Sequence, residues 1–165
     1  MPAVTLRPGR PEDVDRLTAY HHRCVVEAFA PLLGPGVVER LDPRRRAPVF
    51  EYWLSSDTLD KSVVVAEVGG VAAVGHTVVA GHEVIHVFVD PDHSGAGIGR
   101  QLLRAAEDLV AANGFDTAEL HTRVGNARAI GLYESAGWKV SDQVVHTDDG
   151  DLTYEEHILL KHLGR

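Results

Sequence analysis

From residue 94 the chain reads Ser94-Gly95-Ala96-Gly97-Ile98-Gly99-Arg100, directly after a β-like run that ends at Val89 and directly before a helix-like run. Glycines let the backbone approach a ligand closely, and successive N–H groups at a helix start bind anionic oxygens. Arg100 and Arg104 place positive charge on the first turns of the helix. The chemistry this favours is the cradling of a phosphate or pyrophosphate, set against the plainer reading of a tight turn. Two familiar phosphate patterns fail on spacing. A Gly-x-Gly-x-x-Gly fingerprint counted from Gly95 puts Arg100 at its third glycine, and no Gly-Lys-Ser/Thr occurs. Glu119 stands at the distance of a ribose-binding acid, but the strands before the loop read as an antiparallel meander, not the opening of a βαβ unit.

Ten histidines invite a metal reading. His21 and His22 are adjacent and point in different directions on a helix, His82 and His86 are four apart on a strand, and no His-Glu-x-x-His occurs. They read as surface scatter, and no metal site is expected. The single cysteine, Cys24, allows no internal disulfide.

The elements that must hold the loop follow from periodicity and breakers. Residues 4–7 form a short strand. Pro11-Glu12-Asp13 opens a helix whose stripe Val14, Leu17, Val25 and Phe29 runs to about Ala30, where Pro31, Gly34, Pro35 and Gly36 break it. A second helix is expected over about 43–54, although Arg44, Arg45 and Arg46 oppose the dipole at its start. Residues 62–68 and 71–79 are strands joined at Gly69-Gly70, and 83–89 is a third, ended by Pro91. Leu102, Leu103, Ala106, Leu109 and Val110 give the next helix one apolar face until Asn113-Gly114 stops it. Residues 117–122 are a strand. Asn126 caps a helix carrying Ala129, Ile130, Leu132, Tyr133 and Ala136 on a face, and Gly137 ends it. Residues 138–145 and 152–160 make a last hairpin. The order β-α-α-β-β-β-α-β-α-β-β predicts an α+β, three-layer architecture with a mixed sheet.

At 165 residues the chain has room for one domain, 1–165, which can bury roughly 70% of its unfolded surface. Its net charge of −8 argues against nucleic acid as a partner and suits a cationic substrate such as an amine. No apolar run approaches the length of a membrane span, so no membrane association is expected. The first ten residues hold no apolar stretch of the signal-peptide kind, and with one cysteine the expected compartment is the cytoplasm.

Residues 86–103, His-Val-Phe-Val-Asp-Pro-Asp-His-Ser-Gly-Ala-Gly-Ile-Gly-Arg-Gln-Leu-Leu, resemble motif A of the GCN5-related N-acetyltransferase (GNAT) superfamily. Residues 126–138, Asn-Ala-Arg-Ala-Ile-Gly-Leu-Tyr-Glu-Ser-Ala-Gly-Trp, resemble its motif B, joined by a strand at the family's usual distance. The order of elements matches over nearly the whole chain. The resemblance implies a GNAT-like fold, its mixed sheet mostly antiparallel, acetyl-CoA as co-substrate, and direct attack of a primary amine on the thioester. It implies that main-chain groups of Val87, Phe88 and Val89 pair with the pantetheine arm. Ser94, Gly95, Ala96, Gly97, Ile98, Gly99 and Arg100 would hold the pyrophosphate, and Asn126 would contact the CoA arm besides capping its helix. Ser94 departs from the family, which usually carries Gln or Arg there. An N–H near Phe88 or Val89 would polarise the carbonyl if a β-bulge splays the strand at that point. Tyr133, on spacing alone a core aromatic, becomes by resemblance the general acid to the CoA thiolate. Glu83 matches the base of the histone-acetyltransferase branch, His121 matches a glutamate of a branch acting on protein N-termini, and His86 is a third option; any of them can also be an ordinary strand residue.

Substrate selection in the resembled family lies in the first two helices and the last hairpin. Tyr20, Glu27, Phe29, Glu39, Tyr52 and Trp53 are candidates to line an acceptor pocket, with core packing the rival reading for the aromatics. The acceptor is a small-molecule or peptide amine, and the family's habit makes a homodimer possible. The alternative to an active enzyme is an acyl-CoA-binding regulatory domain with weak turnover, suggested by Ser94.

Overall fold

The computed structural model describes residues 2–55, 60–150 and 152–164. Seven strands form one sheet in the order β1-β2-β3-β4-β5-β7-β6. They are β1 (Val4–Pro8), β2 (Ser62–Val68), β3 (Val71–Ala80), β4 (Glu83–Val89), β5 (Thr117–Arg123), β6 (Lys139–Asp148) and β7 (Thr153–His162). Every pair is antiparallel except β4–β5, so the mixed sheet expected from the element order is present. The helices are α1 (Val14–Leu33), α2 (Pro35–Val38), α3 (Ala47–Trp53), α4 (Ile98–Ala112) and α5 (Ala127–Ser135).

The apolar stripes decide which face each helix covers. Ile98, Leu102, Leu103, Ala106 and Val110 of α4 bury against Val74, Val79, Val84, Ala118 and Leu120 of the sheet, and Tyr133 of α5 joins them. On the other face, Leu17 and Tyr20 of α1 and Phe50 of α3 pack on Val65 and Ala73. The result is three layers, with β4 and β5 at the centre. No helix among the described residues is long and apolar enough to cross a membrane.

The first two helices differ from expectation. Pro31 lies inside the last turn of α1, which runs on to Leu33 before Gly34 caps it by donating its N–H to Ala30 C=O at 3.0 Å. A proline in the last turn removes one helix hydrogen bond without ending the helix, and here Leu32 and Leu33 beyond it stay exposed. The Pro35-Gly36 breaker opens the short α2 instead, Pro35 at its first position. The helix expected over 43–54 is a turn followed by α3, as three arginines at a helix start would suggest. Arg45 and Arg46 leave the helix axis to bind Asp149 of the β6–β7 turn at 2.5 and 2.6 Å. Trp138, expected in the last hairpin, precedes β6 and is buried, its Nε1–H donating to Glu107 at 2.8 Å.

Candidate active site

β4 and β5 pair only at Glu83↔Glu119 and Val84↔Leu120. Beyond that point they part, and a gap opens between the two central strands. On the β3 side, Val78 faces His86 while its neighbour Val79 faces Val84, so Ile85 is one inserted residue. β4 therefore carries a bulge at Ile85, three residues before Phe88 and not at the Phe88–Val89 point where the carbonyl-polarising N–H is conditional on one. The Asp90 N–H donates to Val74 C=O at 2.8 Å. Antiparallel pairs alternate between hydrogen-bonded and non-bonded, so Phe88 bonds to β3 while the main-chain groups of Val87 and Val89 turn into the gap. The Val89 carbonyl accepts the Cys24 thiol of α1 at 3.2 Å. Burial pushes that thiol up to about 12.

The glycine loop closes one end of the gap. Gly95 and Gly97 have φ of 84° and 75°, which favours glycine, and a Cβ at either would meet nothing within 4 Å. Backbone conformation, not crowding, selects glycine here, and the loop surface is open. Gly97 is the N-cap of α4, so the N–H groups of the first turn have no intrahelical acceptor. Ser94 donates its hydroxyl to Pro91 C=O at 2.9 Å, and Arg100 reaches across to Ser135 Oγ of α5 at 3.1 Å. Both are exposed, as is Arg104. Sequence reasoning missed Asp90, which is 1% exposed. Its carboxylate accepts Arg23 at 2.6 Å and Arg16 at 3.3 Å, tying the loop to α1. The Asp-Pro step and the arginines on α1 were visible, but their proximity was not.

At the other side of the gap α5 carries Asn126 and Tyr133. Asn126 Oδ1 accepts the Ala129 N–H at 3.3 Å, an N-cap. Tyr133 is 8% exposed and packs in the cluster of Leu103, Leu120 and Trp138. Its hydroxyl has no hydrogen-bond partner among the described residues, and burial pushes its pKa up to about 12.

Glu83 and His121 lie on the face covered in part by α1. His121 Nε2 is 2.9 Å from Glu119 Oε1, and its Nδ1 is 4.0 Å from Glu156 Oε2. Glu156 accepts the Thr147 hydroxyl at 2.6 Å. Glu83 pairs across the strands with Glu119. Glu119 and Glu156 were not among the expected site residues, although the i, i+2 spacing of Glu119 and His121 on one strand does place them on one face.

The expected scatter of histidines is overturned at three positions. His21, His76 and His86 gather with Tyr20 under α1: His76 Nε2 is 3.1 Å from His86 Nδ1, Tyr20 Oη is 2.6 Å from His76 Nδ1, and His21 stacks on His86 at 5.2 Å. Burial lowers all three, His76 to about 3. Of the expected acceptor-pocket residues, Tyr20 and Phe29 are core and Trp53 packs on core, whereas Glu27, Glu39 and Tyr52 are exposed.

The chain that carries this splayed strand pair and glycine loop has known relatives. The sequence matches the model of the Acetyltransferase (GNAT) family over residues 26–138, more than half of the chain. The chain belongs to this family. A mycothiol acetyltransferase of Propionibacterium freudenreichii is 31% identical over 147 residues, which cover 86% of this chain and 43% of that protein. The [ribosomal protein bS18]-alanine N-acetyltransferase of Escherichia coli is 42% identical over 55 residues, 33% of this chain and 37% of that protein. The chain thus spans less than half the length of the curated relatives it matches. Among solved structures, the PaiA N-acetyltransferase of Thermoplasma acidophilum, crystallised with coenzyme A, superposes with a TM-score of 0.78 at 20% identity, covering 97% of this chain and 99% of that one. The ribosomal-protein-S18-alanine N-acetyltransferase of Escherichia coli gives 0.68 at 21% identity, covering 99% and 96%. These likenesses establish that the GNAT fold is shared.

Proposed function

We propose that this GNAT-family chain is an N-acetyltransferase that moves the acetyl group of acetyl-CoA to an amine by direct attack. The observation that carries the proposal is the gap between β4 and β5, with the main-chain groups of Val87 and Val89 turned into it and the glycine loop at its end. An extended pantetheine arm adds to β4 there as a strand would. The pyrophosphate meets the free amides of Ile98, Gly99 and Arg100, and local anion binding of this kind needs no basic surface. The Ser94 hydroxyl, engaged with Pro91, contributes little.

The amine nitrogen attacks the thioester carbonyl carbon from the α1 face, a C–N bond forms, and the C–S bond breaks. The thiolate takes the Tyr133 proton, and the proton shed by the new amide nitrogen returns to the phenolate; between turnovers the hydroxyl stays protonated at neutral pH because burial holds its pKa high. An alkyl ammonium must first lose a proton. Glu83 or His121 takes it, His121 being oriented by Glu119. An assay of thiol release from acetyl-CoA over a panel of amines tests the reading: amine-dependent release supports it. Binding of acetyl-CoA without release for any amine would favour the alternative, an acyl-CoA-binding regulatory domain.

A further inference from the structure

Three side chains form a hydrogen-bonded line out of the core, and counting donors along it fixes one proton. Tyr20 is 1% exposed and His76 is fully buried. Among the described residues, His76 Nδ1 is the one partner of the Tyr20 hydroxyl, at 2.6 Å. Were the phenol to accept from that nitrogen, its own proton would be left without a partner in the core, a costly arrangement. Tyr20 therefore donates. Burial keeps His76 neutral, so its single proton sits on Nε2, 3.1 Å from His86 Nδ1. His86 Nδ1 accepts that proton's hydrogen bond, and neutral His86 carries its own hydrogen on Nε2.

His86 is the ring of this line that reaches the surface. It is half-buried, and its Nε2 has no hydrogen-bond partner among the described residues. It stands one residue past the Ile85 bulge and two past Val84, the last β4 residue paired to β5, on the face away from α4. His21 stacks on it at 5.2 Å, with Trp53 and Phe88 edge-on at 4.9 Å, and these rings hold its orientation.

We propose that His86 offers a fixed Nε2–H donor to an oxygen of the acceptor substrate, with His76 and Tyr20 as positioning residues. Glu83, one of the two candidate bases, stands on the same face just before the Ile85 bulge, and one strand residue rises about 3.3 Å, so an amine approaching the gap there brings an oxygen on its neighbouring carbon toward the Nε2–H. The acceptor class is then an amine with a carbonyl or carboxylate on its neighbouring carbon, an aminoacyl compound, in preference to a plain alkyl amine. His86 is not the base, because one nitrogen accepts a hydrogen bond and the other bears hydrogen. This inference rests on the acetyl-transfer reading above.

Two measurements test it. Long-range 1H–15N correlation on the labelled free protein reads which nitrogen of each ring bears hydrogen. His76 and His86 are expected as Nε2–H, with the His86 signals averaging between tautomers in Tyr20→Phe; His86 found as Nδ1–H overturns the inference. The second is kcat/KM for glycinamide and for propylamine, each referred to its free-base concentration. Wild type is expected to prefer glycinamide by about tenfold, the worth of one hydrogen bond. His86→Phe should bring the ratio near one by raising KM for glycinamide, and His86→Gln, which keeps an N–H donor, should restore part of it. If His86→Phe does not fold, Tyr20→Phe serves, with a reduced preference expected. An unchanged preference in these variants overturns the donor role and leaves acetyl transfer standing. Failure to acetylate any amine removes the transfer reading and the acceptor role with it, while the tautomer stands or falls on the ring-nitrogen signals.

Discussion

Glu83 and His86 lie on the same face of the sheet, although three steps along a regular strand would place them on opposite faces. Ile85 is the reason: as an inserted residue it reverses the alternation, so Val84 packs under α4 with Leu103 and Ala106, and Val87 and Val89 face α4 again beyond it. The bulge also marks where β4 leaves β5. One residue thus marks the opening of the gap and turns the polar side chains Glu83 and His86 to the face assigned above to the proposed acceptor amine.

Tyr133→Phe removes a hydroxyl with no partner among the described residues, so its effect on folding is expected to be small. Loss of a general acid costs about 10²–10⁴ in rate. The expectation is a fall in kcat of about a hundredfold or more, with KM for acetyl-CoA changed less than threefold, read by thiol release at saturating amine. Activity equal to wild type at every pH would remove Tyr133 from the chemistry.

The base is separable by pH profiles. In Glu83→Gln or His121→Ala, the variant that removes the base should lose the acidic limb of the kcat/KM profile, and the other should keep it. Glu119→Gln should act only if His121 is the base, since Glu119 holds its Nε2. Profiles untouched in both Glu83→Gln and His121→Ala would exclude both residues. His86→Phe is expected to leave the limb in place.

Local signals made much of this legible in the sequence. The glycine loop, the Asn126 cap and the apolar faces of α4 and α5 depend on residues a few positions apart, and each lies where its pattern put it. What sequence left hidden depends on register. His76 and His86 meet because β3 and β4 pair around an inserted residue, which no spacing rule reports. The Asp90 carboxylate is satisfied by arginines 67 and 74 residues away. Tyr20 looked like a pocket residue because it is aromatic and near a helix face; its burial follows from the rings that Phe50 and Phe88 bring from elsewhere.

Gly97→Ala and Ser94→Arg probe the loop from two sides. A non-glycine residue in the left-handed region costs about 1–2 kcal/mol, and Gly97 has φ of 75° with open space beside it. Gly97→Ala is expected to lower Tm by a few degrees and to weaken CoA binding by moving the first amides of α4. Ser94→Arg supplies the cation that position 94 lacks and should tighten CoA severalfold at low salt, the gain shrinking as salt rises. Calorimetric titration with CoA reads both. A Ser94→Arg affinity equal to wild type at low salt would mean that the phosphates do not lie at this loop.

Acid should destabilise the protein well above the carboxylate range. In the unfolded chain an imidazole takes up its proton near pH 6.5. Burial holds His76 down to about 3 and His21 well below 6.5, and His86 and His22 are shifted in the same direction. Below pH 6.5 the unfolded state therefore binds more protons than the folded one, so stability rises with pH and is lost as pH falls. A histidine held neutral throughout this range contributes about 1.4 kcal/mol per pH unit, as His76 does, and His21 adds in the same direction. Asp13, whose carboxylate is held low chiefly by its Arg7 hydrogen bonds against the opposing cost of burial, adds its loss only nearer pH 4 and below. The slope between pH 6 and 5 thus belongs to the histidines. Urea melts at pH 7, 6 and 5 should show it, and His76→Gln, less stable at pH 7, should flatten it by about 1.4 kcal/mol per unit. A slope unchanged in His76→Gln would mean that His76 takes up a proton in the fold, and the tautomer assigned to His86 would fall with it.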